Sequence, residues 1–315
     1  RVSNMKFDDL SERQRGEANA AIRAIVVAET ERGLQRINDE NEARAVAKRA
    51  PFTNGRLAGL TRWPTRLQPD PYSDQGGETI RGSSDSFYVL ERTEIGYLDT
   101  RAQWGAKGRA IDILKELGLN ELEAERELVR WFLLSVGVVA AIRVMHPELG
   151  NNLLVGARSS NVGSNVGSLS IPGGFVKPTD SLIGALIREA AEEVPGIRFS
   201  SESLRGSLES HSVFSFGHHN TAPSITFCAS VCLGVDHGRD LVANGRAVKA
   251  NREWVNETLV WVPEVTVKMA LQGSLAGIKS YLAPHGIEVG QGFAADVVGP
   301  LTEQLDCWWE GYDIG

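Results

Sequence analysis

The chain has 315 residues, of which 42% are hydrophobic and 23% are charged, proportions that exclude wholesale disorder and a collagen-like sequence. This length allows one long domain or two domains of about 150 residues each. The formal net charge of −7 provides no overall attraction to polyanions, so we do not expect general nucleic-acid binding.

Residues 8 to 49 are predicted to form a helix. Asp9 or Ser11 is a candidate N-cap, apolar residues recur at helical spacing, and Pro51 follows the run. The first 50 residues carry ten basic and nine acidic side chains, a mixture that favours a solvated helical face over a nucleic-acid-binding arm. A helical hairpin or a dimerisation arm would show the same pattern, so a homodimer is an alternative for this part of the chain.

Residues 51 to 86 are predicted to be irregular, because prolines and glycines are frequent there. The segment also carries Arg56, Arg62 and Arg66 around Trp63. Such a group is able to bind phosphates and to stack on a base. An ordinary connecting loop is the interpretation that loop statistics favour.

A strand and two helices are predicted between this segment and residue 133. The strand covers Phe87 to Leu90, and the first helix covers residues 109–117, with Gly118 ending it. The second helix begins at Asn120, with Glu123 three residues later as in a capping box, and extends to about residue 133. Residues 1–133 are therefore predicted to be a mostly helical N-terminal region that contains the irregular segment.

The composition changes from helical to mixed near residue 134. A run of valines and isoleucines from Val136 to Val144 predicts one strand, and Leu153 to Val155 predict a second. Residues 134–285 are assigned to an α/β (α+β) domain, and residues 286–315 to a C-terminal extension. The longest apolar run, Trp131 to Ile142, is too short to span a bilayer, so we expect no membrane association.

The stretch from Ile171 to Ile197 carries the most informative pattern. At about 100° per residue, Glu189, Glu192 and Glu193 share one narrow face of a helix, whereas the opposite face is apolar and able to pack on a sheet. We therefore expect the acids to point outward. Clustered carboxylates repel one another, so their grouping indicates a cation, and oxygen ligands favour Mg²⁺ or Mn²⁺.

Two neighbouring features support a site at this helix. Arg188 precedes the first acid and is able to orient a carboxylate through a bidentate pair. The Pro172-Gly173-Gly174 sequence predicts a tight turn that brings bare backbone near the helix.

With these residues the chain resembles the Nudix (MutT-like) hydrolases, over about residues 134 to 285. The family signature aligns in the order Gly174, five residues, Asp180, seven residues, Arg188-Glu189, Ala190, Ala191, Glu192-Glu193, Val194, Pro195, Gly196 and Ile197. Two positions depart from it, since Asp180 stands where the family has Glu and Pro195 adds one residue before the final glycine. The resemblance implies an α/β/α sandwich with a mixed sheet, preceded by the mostly helical N-terminal region.

The resemblance also implies an activity. Nudix hydrolases cleave the phosphoanhydride of a nucleoside diphosphate linked to another moiety, and they use a divalent metal to activate water. By position, Glu189, Glu192 and Glu193 would bind Mg²⁺ (or Mn²⁺), with the carbonyl of Gly173 as a further ligand. Arg188 would hold Glu189 in place, and Asp180 would stabilise the helix or act from outside the ligand set.

An acid outside the motif often serves the family as a base or as an extra ligand. Glu257, just before the predicted strand Thr-Leu-Val-Trp-Val-Pro, is the preferred candidate, and Glu253 is the other. An ordinary surface charge is an equal alternative for both residues.

The remaining candidates are weaker. The histidines after the motif, His211, His218 and His219, could contact phosphates or donate a proton, although loop histidines are more often incidental. The C-terminal aromatic residues Trp308, Trp309 and Tyr312 are expected to pack against the body of the protein or a second subunit.

The three cysteines, Cys228, Cys232 and Cys307, are too few for a disulfide framework and lack CxxC spacing. They favour a reducing compartment, and no signal-peptide-like apolar segment lies near the start, so a cytoplasmic protein is expected. Cys228 and Cys232 are predicted to be ordinary buried or half-buried strand positions.

Two functions remain open at this point. The first is a Mg²⁺-dependent Nudix pyrophosphohydrolase whose substrate is ADP-ribose-like, a nucleotide sugar or a nucleotide. The second is a non-catalytic Nudix-fold nucleotide sensor or interaction module that signals through the N-terminal helices.

Overall fold

The computed structural model describes residues 5–66, 77–83, 86–146, 148–162, 165–195, 197, 206, 208–209, 211–218, 222–233 and 245–306. The helices are α1 (Glu12–Val46), α2 (Tyr97–Ala102), α3 (Lys107–Glu116), α4 (Glu121–Glu127), α5 (Leu182–Glu193), α6 (Glu264–Leu271), α7 (Ala276–Leu282) and α8 (Ala295–Asp306). The strands are β1 (Arg56–Leu60), β2 (Thr65–Arg66), β3 (Glu78–Arg81), β4 (Phe87–Leu90), β5 (Arg92–Gly96), β6 (Leu134–His146), β7 (Gly150–Ala157), β8 (Leu169–Ser170), β9 (Gly173–Phe175), β10 (Ser215–His218), β11 (Ser224–Leu233), β12 (Ala247–Lys249) and β13 (Thr258–Pro263).

Ten of these strands, as far as the chain is described, form one mixed sheet. Its main path is β10-β11-β6-β7-β13-β12, while β1 and β9 also pair with β6, β8 pairs with β7, and β5 pairs with β1. Strand β11 runs parallel to β6, and the other pairs are antiparallel. Strands β2, β4 and β3 form a separate small antiparallel sheet.

The central strand β6 shows why helices cover both faces of the large sheet. Val136 and Val138 lie in one core cluster with the apolar face of α5. Val139 and Ala141 point to the other face and lie in a second cluster with α6, α7 and α8. This alternation is the period-two pattern of a strand buried on both sides. The predicted α/β class, an α/β/α sandwich with a mixed sheet, is confirmed.

The N-terminal region does not form a separate core. Helix α1 begins where predicted, because the Ser11 side chain accepts the N–H of Gln14 and the Gln14 side chain accepts the N–H of Ser11. Its buried residues Ile22 and Val26 belong to the same cluster as the first sheet face. Strand β1 pairs with β6 at Gly59 and Ser135. Helix α1 and strand β1 thus pack on the same core and sheet as residues 134–285, and the division into domains at residue 133 stays a prediction.

The prediction of an irregular segment over residues 51–86 is wrong for much of its described part, which holds β1, β2 and β3. The glycines of this segment suggest a loop, but Gly59 lies in β1, which pairs with β5. A methyl group at Gly59 would lie 2.7 Å from the Ile95 side chain, so the glycine permits close strand packing. Pro69 and Pro71 lie outside the described residues.

The next helices are close to their predicted bounds. Gly118 follows α3 with a φ of 102°, as its predicted ending role requires. The Asn120 side chain accepts the N–H of Glu123 at the start of α4. This helix ends at Glu127 and continues as a 3-10 turn to Arg130, so it is shorter than predicted.

The last described residues are part of the sandwich and not an appendage. Helix α8 buries Val297 and Leu301 in the second core cluster. Just before it, the N–H of Ala294 donates to the carbonyl of Leu169 at 2.8 Å. Within the described residues, no helix combines the length and the apolar character needed to cross a membrane.

Candidate active site

Helix α5, which carries the motif, is held at its start by two acceptors. The Ser181 hydroxyl accepts the N–H of Gly184 at 2.9 Å, and the carboxylate of Glu78 in β3 accepts the N–H of Leu182 at 2.8 Å. Arg92 in β5 donates to the carbonyl of Asp180 at 2.5 Å. The N-terminal region therefore fixes the helix start.

Arg188 connects three parts of the motif. Its Nε donates to Asp180 Oδ2 at 2.9 Å, Nη1 to Glu189 Oε1 at 2.5 Å, and Nη2 to the carbonyl of Phe175 at 3.0 Å. The predicted contact between Arg188 and Glu189 is thus present, and the shorter Asp180 still reaches the arginine. Since one rigid guanidinium group makes all three bonds, the loop that contains Asp180 is fixed relative to β9 and α5.

Glu189 lies directly over Gly174. A methyl group at Gly174 would lie 2.5 to 2.8 Å from the Glu189 carboxyl atoms, so any larger residue would displace this carboxylate. The Glu189 side chain is 13% exposed. Burial raises the pKa of Glu189, and Arg188 opposes that rise.

Glu193 is buried, with 2% of its surface exposed, so the prediction that all the acids point outward is wrong. The last turn of α5 packs against β9, where the Gly173 N–H donates to Glu193 Oε2 at 2.9 Å. Burial raises the pKa of Glu193 to about 8, against the opposing effect of Arg158. Glu192, in contrast, is 56% exposed, with its carboxylate 3.7 Å from Arg188 Nη1.

Two residues beside Glu193 complete the charged cluster. Arg158, just after β7, has Nη1 3.3 Å from Glu193 Oε1 and Nη2 3.0 Å from Glu253 Oε2. Glu253 also raises the pKa of both Glu189 and Glu193 through charge repulsion. Arg158 has no signal in the sequence that would single it out, whereas Glu253 was the second candidate outside the motif.

The two candidate acids outside the motif differ in their surroundings. Asn256 and Glu257 have left-handed conformations, with φ of 55° and 50°, and the Glu257 side chain is exposed. Glu253, four residues earlier, is the acid that reaches Arg158. Through Arg158, Glu253 is joined to the motif acid Glu193, and the choice between the two candidates stays a prediction.

The donor chemistry of the cluster fits a divalent cation, although the side chains are not gathered around one. Across the described residues, no group of three or more His, Cys, Asp or Glu side chains is arranged to hold a metal. Burial is the main cause that raises the pKa values of Glu189 and Glu193, and the charge of Glu253 adds to it. A hard cation with oxygen ligands would favour the ionised form of both carboxyls. The described contact between Gly173 and these acids is the hydrogen bond from its N–H to Glu193.

A cavity of about 120 Å³ lies next to these acids. Its lining includes Gly137 of β6, Gly173 and Gly174 of β9, and Arg158. Residues from outside the motif domain's predicted bounds also line it, namely Trp104, Ala294 just before α8, and Asp296 and Val297 of α8. Sequence patterns did not indicate Trp104 or Asp296, because neither belongs to a motif.

The aromatic and arginine residues of the predicted irregular segment have other partners. Trp63 stacks on His218, with ring centroids 4.3 Å apart, and Arg62 pairs with Glu91 at 2.7 Å. The Arg56 side chain pairs with Glu94 at 3.0 Å. This arrangement does not present Trp63 as a free stacking surface.

The histidine and cysteine candidates have other surroundings, and His218 Nε2 lies 3.0 Å from Glu125 Oε2. His218 is mostly buried, which lowers its pKa to about 3, and His211 is exposed. Cys228 and Cys232 are buried in β11, as predicted. His219, Cys307, Trp308, Trp309 and Tyr312 lie outside the described residues, as does Gly196 of the motif.

Comparisons with known proteins place the chain beside solved structures only. No family model matches the sequence, and no curated protein matches it. Similar structures include the MutT protein from Methanosarcina mazei Go1 (22% identity, TM-score 0.29, covering 49% of this chain and 93% of that one). A second is a C. elegans Ap4A hydrolase (16% identity, TM-score 0.29, covering 49% of this chain and 96% of that one). A third is the NUDIX domain of Shewanella oneidensis NrtR complexed with ADP ribose (16% identity, TM-score 0.31, covering 56% of this chain and 88% of that one).

Each of these matches corresponds to about half of this chain. The chain itself has an α/β/α sandwich fold in which the acids of α5 lie beside β9. With TM-scores and identities this low, no activity follows from the matches themselves.

Proposed function

We propose that the protein is a divalent-metal-dependent pyrophosphohydrolase of the Nudix type. It would cleave the phosphoanhydride of a nucleoside diphosphate linked to another moiety. The observation that carries this proposal is the connected set around Arg188, which binds Asp180, the carbonyl of Phe175 and Glu189, while Glu189 lies over Gly174. A helix with merely solvated acids would not need these bonds.

Glu189, Glu192 and Glu193 would hold Mg²⁺ or Mn²⁺, with the carbonyl of Gly173 as a further ligand. When bound, the cation lowers the pKa of a coordinated water and neutralises charge on the diphosphate. Arg188 keeps Glu189 in one orientation, and the Gly173 N–H does the same for Glu193. Orientation of this kind is how groups beside the ligands support a metal site.

Glu253, and not Glu257, is the further acid that we assign to the site. Its carboxylate is half-exposed and shares Arg158 with Glu193. It is therefore accessible to a water or to substrate while its position is fixed. Arg158 also lines the cavity, where its positive charge favours a bound diphosphate.

The direct test uses purified protein with Mg²⁺ or Mn²⁺ and a panel of ADP-ribose, nucleotide sugars, nucleoside triphosphates and dinucleoside polyphosphates. Products are separated and quantified for the wild type, for a Glu192→Gln/Glu193→Gln double variant, and for Glu257→Gln as a matched control. We expect turnover on at least one compound, loss of about 10²-fold or more in the double variant, and no change in the control. Failure of the whole panel, or equal turnover by the double variant, contradicts the proposal.

A nucleotide sensor without catalysis is the second candidate. One observation favours it, since the positive charge of Arg158 already lies 3.3 Å from a carboxylate oxygen of Glu193. A second is compatible with signalling, because Glu78 and Arg92 of the N-terminal region contact the start of α5. Tight binding of a panel compound without cleavage would support this candidate. Light scattering with and without that compound would then show whether the N-terminal helices mediate dimerisation.

A further inference from the structure

We infer that Arg92 and Glu78, two residues of the N-terminal region, are positioning residues for the motif acids, and that Arg92 compensates for the shorter side chain of Asp180. They act through the loop between β9 and α5, which carries Asp180 and sets where Arg188 and Glu189 lie. This role rests on the proposed function, because the positioned acids matter only if they hold a cation and act on a substrate. The contacts themselves can be measured without either.

The loop between β9 and α5 is held by the N-terminal region at three points. The N–H of Ala58 in β1 donates to the carbonyl of Val176 at 2.8 Å. Arg92 in β5 donates to the carbonyl of Asp180 at 2.5 Å, and Glu78 in β3 accepts the N–H of the first residue of α5 at 2.8 Å. The contacts come from three different strands, so both ends of the loop are fixed to the N-terminal region.

Arg92 and Glu78 also contact each other. Arg92 Nη2 lies 3.1 Å from Glu78 Oε2, and the two side chains are only 21% and 18% exposed. One guanidinium group therefore joins the Glu78 carboxylate to the backbone of the loop. Because solvent screens a shielded ion pair less than one on the open surface, a change at either residue should affect the loop.

Glu78 supplies a negative charge that the start of α5 lacks. The first turn of α5 contains no acidic residue, and the free N–H groups at a helix start attract negative charge. Since Glu78 comes from β3, the start of the motif helix depends on a residue 104 positions earlier in the sequence. The N-terminal region thereby places the helix that carries the motif acids.

Asp180 connects this loop to the acids. Its Oδ2 accepts the Nε–H of Arg188 at 2.9 Å, and Arg188 Nη1 donates to Glu189 Oε1. Because Asp180 is one methylene group shorter than the Glu of the family signature, its backbone has to lie closer to Arg188 for the same hydrogen bond. The bond from Arg92 to the carbonyl of Asp180 holds the backbone there. Loss of Arg92 should therefore release Asp180 from Arg188.

The test follows the Nε–H of Arg188 by heteronuclear NMR of the full chain without divalent cation. The signal is assigned by its absence from Arg188→Lys, and the rate at which its proton exchanges with water reports the bond to Asp180. For Arg92→Met we expect exchange to be about 10-fold faster or more. Arg56→Met, which breaks an exposed ion pair on β1, is the matched control and should leave the rate unchanged.

Two pairs of milder variants grade the effect. Arg92→Lys keeps the charge beside Glu78 and should accelerate exchange less than Arg92→Met, and it replaces that variant if Arg92→Met does not fold. Glu78→Gln keeps an acceptor for the helix start and should retain much of the protection, whereas Glu78→Ala should behave as Arg92→Met does.

The double variant Arg92→Met/Asp180→Glu separates positioning from stability. The longer Glu side chain should reach Arg188 from a displaced loop and return the exchange rate to near the wild-type value. The Tm should stay low, because the contacts of Arg92 with Glu78 and the loop are still absent. Asp180→Glu in the wild-type background should give no such gain. Exchange rates that follow Tm in every variant, or a double variant without recovery, would overturn the inference.

Binding of Mn²⁺, measured by the electron paramagnetic resonance of the free ion, relates the same variants to the proposed function. We expect about 10-fold weaker binding in Arg92→Met and recovery in the double variant. A wild type that binds no Mn²⁺ would reject the proposed hydrolase, while the exchange rates would still decide the role of Arg92. Equal Mn²⁺ affinity in wild type and Arg92→Met would overturn that role even if the protein had turnover.

Discussion

The N–H of Gly173 donates a hydrogen bond to the carboxylate of Glu193 at 2.9 Å, which joins β9 to the last turn of α5 across twenty positions of sequence. The bond places one carboxylate of the motif inside the protein, while Glu192 beside it is 56% exposed. Buried carboxylates are costly when they ionise. Ionisation of Glu193 therefore lowers the free energy of unfolding, by an amount that depends on pH and on any bound cation.

This cost predicts a pH dependence of stability. The pKa of Glu193 is raised to about 8 because the group is buried. A raised carboxyl pKa gives stability that is complete below the unfolded-state value of about 4.5 and is lost as pH rises through about 8. At about 1.4 kcal/mol per pKa unit, the free energy of unfolding falls by a few kcal/mol across this range.

Thermal unfolding from pH 5 to 8 without divalent cation measures this loss. The wild type should lose several degrees of Tm relative to Glu193→Gln, which cannot ionise there, and Glu257→Gln should behave as the wild type does. Parallel pH profiles for wild type and Glu193→Gln would show that Glu193 is not the group responsible.

Gly174→Ala is predicted to impair activity without unfolding the protein. The added methyl group would lie 2.5 Å from Glu189 Oε2, and the end of a side chain is easier to move than a backbone. Glu189 would therefore leave its place beside Arg188. We expect kcat to fall by about 10-fold or more, with a small change in Tm.

Gly16→Ala is the matched control for that substitution. It lies in α1 with no atom within 4 Å of the added methyl group, and alanine favours a helix by up to about 1 kcal/mol over glycine. It should raise Tm slightly and leave kcat unchanged. If Gly174→Ala kept full activity, the carboxylate over Gly174 would have no catalytic importance.

The local features of this site could be predicted from sequence because they depend on spacing along one helix. Arg188 contacts Glu189, as the pattern indicates. The helix ends at Glu193, so the additional Pro195 lies beyond the acids, as expected. Helical spacing does not predict how deeply a side chain is buried. Glu193 is buried because β9 packs against the end of the helix.

The other features depend on tertiary structure. Arg158 comes from a segment without any motif, just after β7, and contacts Glu193 only through the tertiary structure. The left-handed backbone at Asn256 and Glu257 has no glycine to mark it. The strands within residues 51–86 were missed because their glycines and prolines resemble those of a loop.

Arg188 is predicted to act through the carboxylates that it positions. Arg188→Lys retains the charge but cannot make the three bonds to Asp180, Glu189 and the carbonyl of Phe175. We expect kcat/KM to fall by about 10- to 100-fold. Arg56→Lys, at an exposed ion pair, is the control that should leave it unchanged. Equal activity of Arg188→Lys and wild type would mean that charge alone suffices.

The final prediction separates the two acids outside the motif. Glu253→Gln removes a charge that raises the pKa of Glu193 and leaves Arg158 to pair with Glu193 alone. The pKa of Glu193 should therefore fall below about 8, and the pH-dependent loss of Tm should end at lower pH. If Glu253 also takes a proton in the reaction, turnover should fall by about 10²-fold or more.

Glu257→Gln is expected to change neither quantity, since that side chain is exposed on the left-handed turn. A normal pH profile with lost turnover in Glu253→Gln would separate a role in the reaction from the electrostatic one. If Glu257→Gln lost activity while Glu253→Gln kept it, the assignment from the geometry of Arg158 would be wrong, because the acid that matters would lie on the other side of the turn.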